Sequence, residues 1–436
     1  MIVLLLGSGA REHAISRALD RSSQNPTISC LASNNNPGIQ KISEFFEVGN
    51  INDPETVTSF AQQCSADLAI IGPEAPLESG VADALWSAGI PTVGPKKAHA
   101  QIETSKGFTR DLLAKYNIPG GPRYRRFDSL DGVTEFLEEL GDNYVVKYDG
   151  LMGGKGVKVS GDHLHSHDEA LEYCKQLVNS GGSFVIEEKL IGEEFSLMSF
   201  CDGEHLAHMP SVQDHKRAYE GDKGPNTGGM GSYSDTDHSL PFISAEDIIE
   251  AQKINEATAH ALRDEFNEGY KGVLYGGFIA TAEGVKLIEY NARLGDPEAM
   301  NVLPLLESDF VDICSGIVEG NLHQKDISFR NQATVCKYAV PEGYPDSPVK
   351  GEPIDVSAIT DTSQLYYASV DVKNGQLTEA GSRTVAYVGL ADTLGEAEAK
   401  AETEISKVSG PLFHRTDIGT AQLIQLRINH LKSIRS

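Results

Sequence analysis

A chain of 436 residues with 40% apolar side chains has room for about three domains and a sizeable core, which excludes a disordered protein. Its 37 basic and 63 acidic residues leave a formal charge of −26, which excludes a broad nucleic-acid surface, so any anionic ligand must be held by local cations and backbone amides. The six cysteines form no C-x-x-C pair, so neither a zinc ribbon nor a dithiol motif is indicated and a reduced, cytoplasmic protein is expected.

The N-terminus MIVLLLGSG has no basic region, and its apolar run stops at Gly7. It reads as a first strand rather than a signal peptide. No uninterrupted apolar run approaches the roughly 20 residues of a membrane span. Ile2–Leu6 followed by GSGAREHAISRAL predicts strand, glycine turn and helix. Further strands are predicted at Thr27–Ala32, Asp67–Ile71 and Ile90–Val93, with the helix VADALWSAG before the last. This alternation predicts a parallel, doubly wound sheet over about the first hundred residues. The pattern changes at Lys106, where SKGFTRDLLAKYN reads as a helix ending at Ile118-Pro119.

The stretch YVVKYDGLMGGKGVKV, Tyr144 to Val159, reads as strand, glycine loop and strand. It is not a P-loop, because Gly156 follows Lys155 where a Ser or Thr is needed for the metal. Its glycines either bring backbone N–H groups close to an anion or form a surface turn with solvated lysines. A helix near Asp168–Asn179 and the strand SFVIEEKL come next, then a polar, glycine-rich stretch, Asp214–Gly231. A helix near Ala245–Glu265 leads to the strands VLYGGFIAT and VKLIEYNAR. From about Ala333 the strands ATVCKYAV, QLYYASVDV and RTVAYVGL and the helix LGEAEAKAETEISKV predict a separate α+β tail.

Several segments carry chemistry. GSGAREHA has Glu12 where a dinucleotide fingerprint needs glycine, and no acid closes the second strand, so a nicotinamide site is poorly supported. The turn still suits a simple phosphate at a helix N-terminus, or it is a tight turn and nothing more. In VKLIEYNARLGDPEAM, strict alternation places Val285, Leu287, Glu289, Asn291 and Arg293 on one face and Lys286, Ile288, Tyr290 and Ala292 on the other. Glu289 and Asn291 offer hard oxygen ligands for magnesium, and Arg293 suits a phosphate or carboxylate, unless this is a solvated face. In FVIEEKLIGEEFSL, Glu188 and Glu193 read as surface charge, whereas Glu187 and Glu194 could accept from an adenine amine and a ribose hydroxyl. His163, His165 and His167 stand at alternate positions that could bind a metal on a strand, but they sit where a loop enters a helix.

With these segments in place, the chain resembles the phosphoribosylamine–glycine ligase (glycinamide ribonucleotide synthetase) family of ATP-grasp enzymes over nearly its whole length. GSGAREHA, IGPEAPLESGVADAL, SKGFTRDLL, DHKRAYEGDKGPNTGGMG and IEYNARLGDPEA stand in the family's order, with GSRTVAYVGLADTLGEA and HRTDIG in the tail. The chain departs from the family at Tyr148, Met152 and Gly153, where K-A-D-G-L-A-A-G-K-G-V is common, and at Ser33–Gly38, where SNNNPG replaces P-G-N-x-G.

The resemblance implies an α/β and α+β architecture. A doubly wound N-terminal domain spans 1–101, an ATP-grasp domain with a small lid subdomain (about 121–190) spans 102–332, and an α+β domain spans 333–436. It implies ATP with Mg2+ or Mn2+, and glycine and 5-phosphoribosylamine as substrates, ligated through a glycyl phosphate. Nucleic-acid and membrane partners are not expected, and the state implied is a monomer or weak dimer.

Carried over by motif, Lys106 and Lys147 meet ATP phosphates, and Gly153, Gly154 and Gly156 shape the lid that carries Lys155. Glu187, Leu190 and Glu194 frame adenine and ribose, Leu190 through its backbone. Glu289 and Asn291 hold the metal, with Arg293 and Lys155 catalytic. Gly9, Arg11, Glu12, Glu74, Asp214, Lys216, Asp296 and Glu298 fall to the substrates. Another ATP-grasp ligase or carboxylase would share Glu289 and Asn291 but should lack DHKR…GPNTGGMG. A nicotinamide-dependent oxidoreductase or regulatory nucleotide-binding protein would leave the lid and the magnesium face without a role. The lid reading predicts that amide exchange around Lys155 slows when ATP and magnesium bind, and unchanged exchange there would count against it.

Overall fold

The computed structural model describes residues 1–152 and 156–436. The lid positions Gly153, Gly154 and Lys155 lie outside the described residues. The N-terminal sheet is wholly parallel, in the order Phe45–Val48, Thr27–Ala32, Ile2–Leu6, Leu68–Ile71, Thr92–Val93. Ile2–Leu6 and Leu68–Ile71 are continuous apolar runs because helices cover both faces of such a sheet. The edge strand Phe45–Val48 was not predicted: it is four residues long, and Phe45 and Val48 remain exposed. Strand order reverses between Ile2–Leu6 and Leu68–Ile71, so a crevice opens where Gly7–Gly9 and Gly72–Glu74 leave the sheet.

The central sheet is antiparallel, in the order Leu206–His208, Gly192–Asp202, Lys271–Thr281, Gly284–Asn291. The helix Ala245–Phe266 packs against it, started by a Ser244/Asp247 capping box and stopped by Asn267 in the left-handed region at φ 53°. A smaller sheet, Tyr124–Phe127, Phe184–Glu188, Tyr144–Tyr148, Val157–Val159, is backed by the helices Val133–Leu140 and His167–Asn179. It encloses its own core of Phe127, Phe136, Tyr144, Cys174 and Phe184. Residues 189–191 link its strand Phe184–Glu188 directly to Gly192–Asp202 of the central sheet.

The tail does not build its sheet alone. Ala333–Pro341 pairs with Val385–Ala391 on one side and with Gly231–Ser234 on the other, and Gln213–Asp214 adds beyond that. The polar stretch Asp214–Gly231 therefore leaves from one strand of the tail sheet and returns to its neighbour. Within it, Arg217–Tyr219 and Lys223–Asn226 form a hairpin. QLYYASVDV is two strands, not one. Leu365–Tyr367 joins Val385–Ala391, whereas Val370–Lys373 turns away to pair with Gln376–Glu379. All six cysteines are buried free thiols. Among the described residues no helix is long and apolar enough to cross a membrane.

The helix Leu394–Ile405 lies directly on the tail sheet, and Gly389 makes that approach possible. A Cβ at Gly389 would stand 1.9 Å from the Ala397 carbonyl oxygen, which is backbone and cannot rotate away. Gly389→Ala must therefore push the helix off the sheet, at a cost of about 1–3 kcal/mol or more. Scanning calorimetry should show a lower tail transition, and an unchanged profile would mean the helix has slack.

Candidate active site

The strand Gly284–Asn291 does not alternate strictly. Phe278 pairs with Leu287 and Gly277 pairs with Glu289, which leaves Ile288 as an extra residue in a β-bulge. The bulge exchanges the two faces. Val285 and Leu287 before it and Tyr290 and Ala292 after it all enter the main core. Glu289 and Asn291 are thereby turned toward the cleft, away from Val285 and Leu287. This corrects the single face expected from alternation. Arg293 lies beyond the strand's end.

The carbonyl of Ile288, freed from the ladder, accepts from Arg110 Nη2 at 2.6 Å and from Lys147 Nζ at 3.3 Å. Both cations also hold Glu187: Arg110 Nε is 2.7 Å from Oε2, and Lys147 pairs with Oε1. Glu187 is 2% exposed, so its carboxylate is engaged in a buried triad rather than presented to solvent for an adenine amine. Leu190 lies in the short linker to the central sheet, and Glu194 is exposed at the start of Gly192–Asp202. Glu193, expected on the surface, is buried instead; it pairs with His430 at 2.6 Å and Arg427 at 3.4 Å on the C-terminal helix Ala421–Ile434. Lys106 opens the helix Lys106–Lys115 and donates to the Gly150 carbonyl at 3.1 Å. Gly156 accepts from Tyr148 N at 2.8 Å. The departure at Tyr148 has a steric basis, because its ring fills the space a side chain would need at Gly150 and Gly182.

Glu194, Asp214, Lys216, Tyr275, Ile288 and Glu289 line one cleft. Lys216 Nζ is 3.7 Å from Glu289 and 4.0 Å from Glu194. Burial disfavours a charged Glu289, but Lys216, then Lys106 and Lys147, outweigh it and hold its carboxyl down to about 2. Glu289 is thus a reliable anion. With the Asn291 amide on the same face it forms a hard-oxygen donor set of the kind magnesium takes. Asp214 is the opposite case. Burial, with the nearby Glu298 adding to it, pushes its carboxyl well above the usual range. Its Oδ1 is buried and has no hydrogen-bond partner among the described residues. Glu298 accepts from Tyr275 Oη at 2.7 Å. Asp296 accepts from Tyr338 Oη at 2.7 Å and pairs with Arg383 at 3.2 Å.

The crevice of the N-terminal sheet supplies the remaining predicted residues. Glu12 is buried in a slot that exists because residues 7 and 72 are glycines; a Cβ on either would collide with its side chain. Its carboxylate accepts from Gly9 N and from Arg11 Nε, each at 2.6 Å. Glu12 thus spends itself on the turn, the structural reason glycine is absent there. Arg293 is braced by Glu74 at 3.3 Å and Glu103 at 3.0 Å rather than by Asp214 or Glu298. Despite burial, Arg293 and then Arg11 hold the Glu74 carboxyl down to about 2. The SNNNPG departure also has a role. Asn36 caps the helix Pro37–Ile42 and donates to the Ser8 carbonyl at 2.9 Å and the Tyr367 carbonyl at 2.8 Å. It ties the first turn to the tail.

The alternate histidines do not converge. His163 Nδ1 accepts from Val159 N at 3.2 Å, His167 Nε2 meets the Gly141 carbonyl at 3.0 Å, and His165 precedes the helix. Among the described residues the group that does converge is Asp202, His205 and His323, but Asp202 already accepts the backbone N–H groups of Glu204, His205 and Leu322. Sequence reading missed Glu103, Arg110, Tyr275 and Arg383. Arg110 had a signal: it stands one helical turn after Lys106 on the same face. Tyr275 had none, because its pairing with Asn291 across the sheet is visible only in the structure. Glu103 and Arg383 had none either.

The chain was compared with known proteins. Three family models match it in order: the phosphoribosylglycinamide synthetase N domain over residues 1–103, the ATP-grasp (A) domain over 104–299 and the C domain over 334–421. It is 51% identical over the full length of both chains to a protein of Methanosarcina barkeri named phosphoribosylamine–glycine ligase. The crystal structure of phosphoribosylamine–glycine ligase from Thermotoga maritima superposes with a TM-score of 0.81 at 28% identity, covering 96% of this chain and 100% of that one. The biotin carboxylase domain of Hydrogenobacter thermophilus 2-oxoglutarate carboxylase, solved with MgADP and bicarbonate, shares the fold alone: TM-score 0.71 at 14% identity, over 99% of this chain and 93% of that one. On the three matched domains and the full-length identity, this chain belongs to the phosphoribosylglycinamide synthetase family of ATP-grasp ligases.

Proposed function

We propose that this chain joins glycine to 5-phosphoribosylamine at the expense of ATP, giving glycinamide ribonucleotide, ADP and phosphate. The observation that carries this reading is Asp214: a buried carboxylate oxygen without a partner among the described residues, beside Glu298, in the cleft that also holds Glu289 and Lys216. An acid left unpaired at such cost needs a cationic ligand, and the ammonium of an amino acid supplies one. Arg293, at the opening of the N-terminal crevice, is the cation for the substrate carboxylate.

The reaction proceeds in two displacements. A glycine carboxylate oxygen attacks the γ-phosphorus of ATP, the bond to the bridging oxygen breaks, and ADP leaves. The phosphoribosylamine nitrogen then attacks the glycyl phosphate carbonyl, the acyl C–O bond breaks, and inorganic phosphate leaves as the amine gives up a proton. Lys106 and Lys147 meet the phosphates, with Lys155 on the lid. A phosphate arriving at Lys147 competes with Glu187 for it, so nucleotide binding and the buried triad are coupled. Glu289 and Asn291 would hold Mg2+ or Mn2+, which supplies charge neutralisation at the transferring phosphoryl group. Glu194 and the Leu190 backbone frame ribose and adenine. Gly9, Arg11, Glu12 and Glu74 shape the switch-point crevice for phosphoribosylamine, while Asp296 and Glu298 flank the amino-acid pocket.

Three outcomes test this. Asp214→Asn should raise the glycine KM about 30-fold or more, the equivalent of roughly 2–5 kcal/mol for a buried charged partner, and leave the ATP KM nearly unchanged; equal changes in both would place the ammonium elsewhere. Glu289→Gln and Asn291→Ala should each cripple turnover, most severely at limiting magnesium, and near-normal turnover there would remove the metal assignment. The raised Asp214 carboxyl, flanked by Glu298, Lys216 and Arg383, becomes an acceptor only as pH rises through its elevated pKa. The glycine KM should therefore fall with rising pH in the native chain, and Asp214→Asn should abolish that slope.

A further inference from the structure

We infer that Arg383, contributed by the tail, is a positioning residue for the amino-acid pocket: it straps the Gly228–Gly229 backbone and the Asp296 turn into one wall against Asp214. The inference rests on the reading of Asp214 as the ammonium acceptor. Arg383 Nη1 donates to the Gly228 carbonyl at 2.6 Å and the Asp296 carbonyl at 2.9 Å, with a longer contact to the Gly229 carbonyl at 3.4 Å. It pairs with the Asp296 carboxylate at 3.2 Å. Its guanidinium lies 4.8 Å from the centre of the Tyr338 ring, and Tyr338 in turn donates to Asp296. Tyr344 adds a second tail contact, accepting from Gly228 N at 3.3 Å.

The strapped backbone is the pocket wall. Gly229 sits at φ +112°, and a Cβ there would lie 2.6 Å from Asp214 Oδ1 and 2.7 Å from Pro297 Cδ. No side chain fits between this backbone and the acid, so a shift of the Gly228–Gly229 segment passes directly to the surroundings of Asp214. A single guanidinium nitrogen, Nη1, bridges acceptors from two separate segments, and the guanidinium plane lying over the Tyr338 ring holds that nitrogen in place, a stacking that the point charge of a lysine reproduces poorly. Arg383 reaches the pocket through backbone carbonyls and Asp296, so it acts on glycine through other groups.

The test is kinetic, on the full-length protein. Arg383→Ala and Arg383→Lys should each raise the glycine KM about tenfold or more, with kcat at saturating glycine and the ATP KM changed less than about twofold. Millimolar guanidinium should restore the glycine KM of Arg383→Ala and leave Arg383→Lys unaffected. An unchanged glycine KM overturns the inference. So does a parallel loss in glycine KM, ATP KM and thermal stability that guanidinium does not reverse, because that is the signature of a general structural role; Arg383→Lys preserves charge and bulk should the alanine variant fail to fold. Asp214→Asn separates the two readings. If it raises the glycine KM and the Arg383 variants do not, the strap fails while the acceptor stands. If only the Arg383 variants raise it, the strap stands and the acceptor lies elsewhere in the pocket. If neither does, both are overturned.

Discussion

The site is organised around one carbonyl oxygen, that of Ile288. A bulge inserts this residue, and its carbonyl needs donors that the neighbouring strand does not supply. Arg110 and Lys147 provide them, and Glu187 holds both cations in place. Four residues from the helix Lys106–Lys115, the small sheet and the central sheet thus meet at one point. Losing one member of a buried ion group of this kind leaves an uncompensated charge, at about 3–5 kcal/mol. The geometry that turns Glu289 toward the cleft, and that holds Lys147 against the Ile288 carbonyl, therefore depends on every member being present.

Charge is distributed with the same economy. A chain with a formal charge of −26 repels anions at long range, yet it must bind a triphosphate and a phosphoribosyl group. The cations proposed to meet them are concentrated and kept in check by acids: Lys216 against Glu289 and Glu194, Arg293 against Glu74 and Glu103, Lys147 against Glu187. Burial pushes the Glu103 carboxyl up, with Arg293 opposing, and pushes the Lys147 ammonium down, with Glu187 opposing. Each cluster is close to balanced without ligand, so an incoming phosphate exchanges partners instead of meeting a bare positive field.

Much of this was legible in the sequence because glycines and charges punctuate it locally. The parallel sheet followed from alternating short apolar runs, and Glu289 and Asn291 stood out as oxygen-bearing side chains two residues apart on one strand. What stayed hidden is non-local. The bulge at Ile288 is invisible to a period-2 reading, since only the pairing of Phe278 with Leu287 and Gly277 with Glu289 reveals it. Glu193 reads as surface charge until the C-terminal helix brings Arg427 and His430 over it. Glu187 reads as an open acceptor until Arg110, 77 residues earlier, reaches it.

The tail sheet has a consequence for how the chain is made. Gly231–Ser234 lies between Gln213–Asp214 and Ala333–Pro341, so its second edge finds a partner only after about a hundred further residues have been synthesised. Until then a nascent chain carries a strand with an unpaired edge beside the half-built cleft, a configuration open to wrong pairing. The ligase domain cannot reach its final form on the ribosome ahead of the tail. Cutting the gene between them would separate a sheet from two of its own strands, and the high sequence separation of these pairings makes their closure a late event in folding.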